Sequence, residues 1–192
     1  GRVVFEGLPV GAGCTVEERI NVLCLAGGLK VGLLLGWLHV VGGMRLQELC
    51  PDRFAWWTDL KIGLWGLFAS LLPVWIVSAS IMPIRTEKDG HPFIQALKEG
   101  ADPATQAWIA LAVLVVAPLI EELLFRVILQ GWLQDRVSPL AAVVAVAVGF
   151  AAVHSASWPD PLPLIPLSLV LGYIYYRRRS YVANVVMHAL FN

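Results

Sequence analysis

In the stretch Pro118-Leu119-Ile120-Glu121-Glu122-Leu123-Leu124-Phe125-Arg126, two adjacent carboxylates and a guanidinium interrupt an otherwise apolar helical run. A charged side chain at the middle of a bilayer costs about 2.5–3.5 kcal/mol, so this cluster demands compensation or use. At about 100° per residue, Glu122 and Arg126 are neighbours one turn apart, while Glu121 projects from a face about 100° away from Glu122. One carboxylate is thus paired, and the other is left for chemistry. Two more four-residue spacings follow. Phe150 shares a face with His154, so the ring can pack against the imidazole's turn and orient it, and His188 with Asn192 presents two hydrogen-bond donors together. A carboxylate and a histidine can hold and deprotonate a water molecule; a His–Asn pair can donate to a developing oxyanion. That is the minimal equipment for hydrolysing an amide.

The elements that must position these groups are membrane helices. The chain has 192 residues, 58% hydrophobic and 15% charged, with a mean hydropathy of +0.71, too apolar for an ordinary soluble domain. Its 14 basic and 14 acidic residues balance, so no charge argument for a nucleic-acid partner exists and none is expected. Cys14, Cys24 and Cys50 have neither disulfide-framework nor zinc-type spacing and read as small apolar fillers. The chain begins at Gly1 and stops at Asn192 inside a helical pattern, as a processed or trimmed piece would.

Apolar runs place spans at about 20–41, 61–83, 104–134, 138–154, 162–176 and 180–192. The expected fold is all-α, a polytopic transmembrane helical bundle with about six spans. Residues 1–103 form an N-terminal transmembrane hairpin with loops, and 104–192 form the catalytic membrane domain. In the first span Gly28, Gly32 and Gly36 recur at every fourth residue and are expected to let another helix of the same chain approach closely. Trp56 and Trp57 mark a headgroup-level aromatic pair, a short surface helix is placed at Phe93–Glu99, and Pro118 is a tolerated kink where neighbours satisfy the freed carbonyl. At ~1.5 Å per residue, Glu121, His154 and His188 lie roughly 20, 26 and 12 Å from the cytoplasmic helix ends, close enough to converge in one buried polar cavity.

Taken in order, Glu121-Glu122-xxx-Arg126, Phe150-xxx-His154 and His188-xxx-Asn192 resemble the motifs EExxxR, FxxxH and HxxxN of the CAAX-protease and bacteriocin-processing (CPBP, or Abi) family of intramembrane glutamic endopeptidases, which includes the CAAX prenyl endopeptidases. By position, the resemblance implies that Glu121 is the water-activating glutamate, His154 its partner, and His188 with Asn192 the oxyanion stabilisers. Glu122, Arg126 and Phe150 take supporting roles. One local departure is Val127 directly after the motif arginine, where many members have Gly, the glycine here being delayed to Gly131. The implied protein is an integral protein of the cell (plasma) membrane acting on membrane-associated peptides or proteins within the lipid bilayer, with no cofactor and no metal. The alternatives are a non-proteolytic relative serving immunity, binding or transport, and a metal-dependent peptidase, although HExxH is absent.

Overall fold

The computed structural model describes residues 16–40, 56–85, 97, 98, 100–155 and 158–192, with Gly43 and Leu49. Cys14, Cys50, the polar connection bearing Arg45, Glu48, Asp52 and Arg53, His91 and most of the expected surface helix at Phe93–Glu99 lie outside the described residues. Among the described residues six main helices follow one another: α1 (Val16–Val40), α2 (Trp56–Ile81), α3 (Pro103–Gln134), α4 (Pro139–Val153), α5 (Leu164–Arg178) and α6 (Tyr181–Phe191). Among the described residues there is no strand, so the fold is all-α as expected.

Two helical stretches are long and apolar enough to cross a bilayer, Trp56–Ile84 with 29 residues and α3 with 32. The remaining expected spans fall short of that length. The apolar part of α1 runs from Cys24 to Val40, α4 and α5 have 15 residues each, and α6 has 11. Fifteen residues rise about 22 Å, against a hydrocarbon core of ~30 Å.

Helix starts are written in short polar caps. Asp102 accepts from the backbone N–H of Ala104 and Thr105, with Pro103 as the first helical residue of α3, and the Thr105 hydroxyl donates to the same carboxylate at 2.6 Å. These bonds, the Thr105 hydroxyl first, hold the Asp102 carboxyl below its ordinary value. Ser138 and Ser180 cap α4 and α6 in the same way. At the other end, α5 stops on Arg179 in a left-handed conformation at φ 50°, its N–H closing onto Tyr175 O at 2.8 Å.

Packing is decided where side chains are smallest. The buried stripe of α2 is Asp59, Gly63, Gly66 and Ser70, and it docks onto α5 and α6. A Cβ on Gly63 would meet Val186 Cγ1 at 2.8 Å and Ala183 O at 3.0 Å; one on Gly66 would meet Ile174 Cδ1 at 2.5 Å. This close approach brings Ile62 and Val74 against Leu167, Leu171, Ala183 and Met187. Helix α1 packs instead on α3, so the two N-terminal helices expected as a hairpin each lean mainly on the C-terminal helices.

The expected use of Gly28, Gly32 and Gly36 in that packing is corrected. None of the three has a neighbour within 4 Å of where a Cβ would be, and the contact is made one face over by Cys24 and Gly27. A Cβ on Gly27 would overlap Val116, and Cys24 nests between Ile109 and Ala112. Positions three apart on α1 thus match the three- and four-residue rows of α3, which is how helix surfaces interlock.

The outward face of α2 carries Trp65, Phe68, Leu72 and Trp75, each more than half exposed. Such a continuous apolar face suits lipid and not water. Trp56 and Trp57 stack at 4.1 Å at one end of α2, and Arg136 lies 4.2 Å over Trp132 near the end of α3, both arrangements suited to headgroup level. The chain is a membrane protein.

Two outcomes test these assignments. Gly63→Leu should destabilise the protein in detergent by about 1–3 kcal/mol through overpacking, while Gly32→Leu should leave its melting temperature unchanged or raised; equal losses would contradict the docking faces. Because the folded carboxyl of Asp102 lies below its unfolded value, its contribution is present above the unfolded pKa and lost as pH falls through the folded one. Asp102→Ala should therefore melt earlier than the native chain at neutral pH, and the two curves should converge on acidification.

Candidate active site

Helix α3 changes its winding around the carboxylates. Residues Ala112–Val116 and Leu123–Gln130 are π-helical, flanking the α-helical turn Ala117–Glu122. Wider turns of this kind recur at functional sites. In the first π segment the N–H of Ala117 bonds Ala112 O, so the next bond in the ladder would run from residue 118 to Val113 O. Residue 118 is proline and has no N–H. The side chain of Asn192 donates to Val113 O at 2.9 Å and fills that place. Nearer the glutamates, Tyr181 Oη donates to Leu119 O at 2.7 Å. Both donors come from α6 or its end, so the last helix supports the irregular one along the turns that lead into Glu121.

Glu122 and Arg126 are fully buried and meet at 3.1 Å, Nε to Oε2, off the hydrogen-bonding axis. The other carboxylate oxygen of Glu122 lies 2.7 Å from His188 Nδ1. With Glu122 ionised opposite Arg126, that nitrogen carries the proton and donates, which turns His188 Nε2 toward Glu121 Oε2 at 3.7 Å. His154 is the residue that closes α4, and its Nδ1 lies 2.7 Å from Phe150 O. A carbonyl only accepts, so Nδ1–H donates and the Nε2 lone pair faces Glu121 Oε1 at 3.9 Å. Glu121, one quarter exposed, therefore sits between two imidazoles at separations too long for direct hydrogen bonds and suited to a shared water.

The buried ring of Phe150 holds this arrangement from below. It lies 4.8 Å from the His154 ring, 5.9 Å from His188 and 5.0 Å from Phe125, and the Arg126 guanidinium sits 5.2 Å over its face. Beyond His154 the turn at 158–163 is tied to the end of α2 by Arg85, whose Nε donates to Asp160 Oδ1 at 2.7 Å.

Glu121, Glu122, Arg126, Phe150, His154 and His188 are thus brought together as the motif spacing leads one to expect. Asn192 is not: its amide is turned to Val113 O while His188 turns to the glutamates, so the two donors do not point at one place. Tyr181, Asn184, Gln130 and Phe125 were not singled out by sequence reasoning. The three- and four-residue steps Tyr181, Asn184, His188, Asn192 were the signal that would have found the first two. Among the described residues, no group of three or more His, Cys, Asp or Glu side chains is arranged to hold a metal ion.

Residues 103–192 match the family described as type II CAAX prenyl endopeptidase Rce1-like. That part of the chain is similar to this family. It begins at the capped start of α3 and contains every residue of the site. The Rce1-like segment is also similar to proteins of Lactococcus lactis: a UPF0177 protein in the abiGi 5′ region of subsp. cremoris, 31% identical over 83 residues, and the UPF0177 protein YaiF of subsp. lactis, 35% identical over 85 residues. These alignments cover 43% and 42% of this chain and 34% and 36% of the relatives, so the chain spans about a third of their length. No solved structure matches the chain significantly.

The two glutamates should fail in opposite ways. Glu122→Gln leaves Arg126 buried without its counter-charge, and breaking such a pair costs about 3–5 kcal/mol, so this variant should be the unstable one and should recover partly as Glu122→Gln/Arg126→Gln. Glu121→Gln orphans no buried charge and should melt as the native protein does. Thermal unfolding in detergent distinguishes these outcomes from the reverse order.

Proposed function

We propose that this chain is an intramembrane endopeptidase of the CAAX-protease type, hydrolysing peptide bonds of membrane-associated substrates in the plasma membrane. The observation that carries this reading is the half-open position of Glu121 between His154 Nε2 and His188 Nε2, at 3.9 and 3.7 Å. A water held there donates one proton toward the carboxylate while His154 accepts the other hydrogen bond, which directs its oxygen lone pair outward. Attack on the scissile carbonyl forms a tetrahedral oxyanion and passes the proton to Glu121. Because the Nδ1–H of His188 stays on Glu122, its donation to the developing oxyanion comes from Nε2 of the doubly protonated ring, and Asn192 turns the amide N–H that Val113 O does not take toward the same oxygen. Collapse breaks the C–N bond, and the proton on Glu121 leaves with the amine, so water is divided between the new carboxylate and the new N-terminus. Glu122 and Arg126 do not touch the substrate in this scheme; they hold the Nδ1–H of His188 and so fix the direction of its ring.

The test is cleavage in proteoliposomes of peptides bearing a C-terminal prenylated cysteine plus three residues, beside the same peptides without the lipid. Glu121→Gln and His154→Ala should nearly abolish turnover in folded protein, and His188→Ala and Asn192→Ala should lower kcat by ~10²–10³ with modest change in KM. Activity should persist after exhaustive chelation. Equal effects on KM alone in all four variants would mark a binding cleft, and loss on chelation with rescue by Zn²⁺ would mark a metallopeptidase.

A further inference from the structure

At the Glu122–Arg126 pair, four side chains from three helices, Arg126 among them, are sealed from solvent with polar atoms that no described residue satisfies. They are Arg126 Nη1 and Nη2, Gln130 Oε1, Ser168 Oγ and Asn184 Oδ1, on residues exposed by 1% or less. Their positions converge. Gln130 lies one turn from Arg126, and its Nε2 donates to Gly172 O at 2.8 Å; Asn184 Nδ2 donates to the preceding carbonyl of α5, Leu171 O, at 3.2 Å. Ser168 sits one turn before those two carbonyls on α5, and its hydroxyl does not take the usual back-bond to its own helix. Asn184 also lies against Glu122. Gly172 makes the room: a Cβ there would come within 3.0 Å of Gln130 Oε1.

The orphaned atoms are chemically complementary yet not bonded to one another. Arg126 offers only donors, four N–H on its two terminal nitrogens, while Gln130 Oε1, Asn184 Oδ1 and the Oε2 of Glu122 only accept and the Ser168 hydroxyl can do either. An anion would match the guanidinium and the Ser168 hydroxyl but would face three oxygens that only accept. Water matches both sides, because each molecule accepts two hydrogen bonds and donates two. We propose that this enclosure is a binding site for a small cluster of ordered water, about two molecules, which accepts from Arg126 and donates to Gln130, Ser168, Asn184 and Glu122. The cluster joins α3, α5 and α6 through the cation that holds Glu122, and so supports the His188 orientation without touching the reacting atoms. The site stands on burial and hydrogen-bond chemistry and does not depend on proteolysis being the activity.

A structure of the full chain in a lipidic phase, at a resolution that shows individual waters, should reveal density within hydrogen-bond distance of both an Arg126 Nη and at least one of those acceptors. Direct bonds from Arg126 to the three side chains, or density for a larger species, would overturn the proposal. In nanodiscs, Ser168→Ala should lower the melting temperature by a few degrees. It should be sub-additive with Gln130→Leu, since both share the same water. Exchanging gluconate for chloride or sulfate should not move the native melting point. A Ser168→Ala protein as stable as the native one would refute the site. Stabilisation specific to chloride or sulfate and lost in Arg126→Gln would assign it to an anion. Ser168→Ala removes one hydroxyl, so the test stands even where Gln130→Leu fails to fold.

Discussion

A guanidinium buried completely inside an apolar bundle constrains everything around it. Arg126 cannot shed its charge, so the chain must supply a carboxylate within reach, and Glu122 one turn earlier meets it at 3.1 Å. That carboxylate in turn needs its remaining oxygen bonded, which His188 supplies across the helix interface. The consequence for chemistry lies in the neighbour. Glu121 shares the same turn of α3 but leaves it in another direction, escapes the ion pair, and keeps a quarter of its side-chain surface open between two imidazoles. Adjacent carboxylates acquire different tasks because only one is within reach of the cation.

Helix α3 achieves this at the cost of regularity, and α6 makes the irregularity tolerable. A proline inside a spanning helix removes a donor, and π-helical turns on both sides alter which carbonyls are matched. In a bilayer an unmatched backbone group cannot turn to water. Asn192 and Tyr181 each donate to a carbonyl of α3 ahead of the glutamates, Val113 O and Leu119 O, and between these two donors in sequence stand Asn184 and His188. Eleven residues of α6 thus act as a polar strap along an otherwise apolar contact, and α2 presses that strap into place through Gly63 and Gly66.

The bundle also separates what faces lipid from what faces the site. Large apolar side chains of α2 point outward, whereas the polar groups point into the contact of α3, α5 and α6. The short helices α4 and α5 leave His154 at a helix end beside a turn, a third exposed, and Arg85 pins that turn through Asp160. Non-helical backbone at such a place is tolerated where it lines a cavity or is covered by protein.

The sequence by itself determined the helical class, the six helical segments to within a few residues, and the convergence of Glu121, Glu122, Arg126, Phe150, His154 and His188. Apolar runs and four-residue spacings are local properties of the chain, and charge inside an oily helix is conspicuous from composition alone. Spacing could not choose which face of α1 meets α3, because Gly28, Gly32 and Gly36 satisfy the same rule as Cys24 and Gly27. Only the side chains across the contact decide, and Val116 fits against Gly27. Nor could spacing give the direction of the Asn192 amide. That depends on a carbonyl about eighty residues earlier, freed by Pro118 and a π turn, and such a need exists only once α3 and α6 lie together. The roles of Gln130, Ser168 and Asn184 were hidden for the same reason: each is an ordinary polar residue until folding encloses all three beside one buried cation.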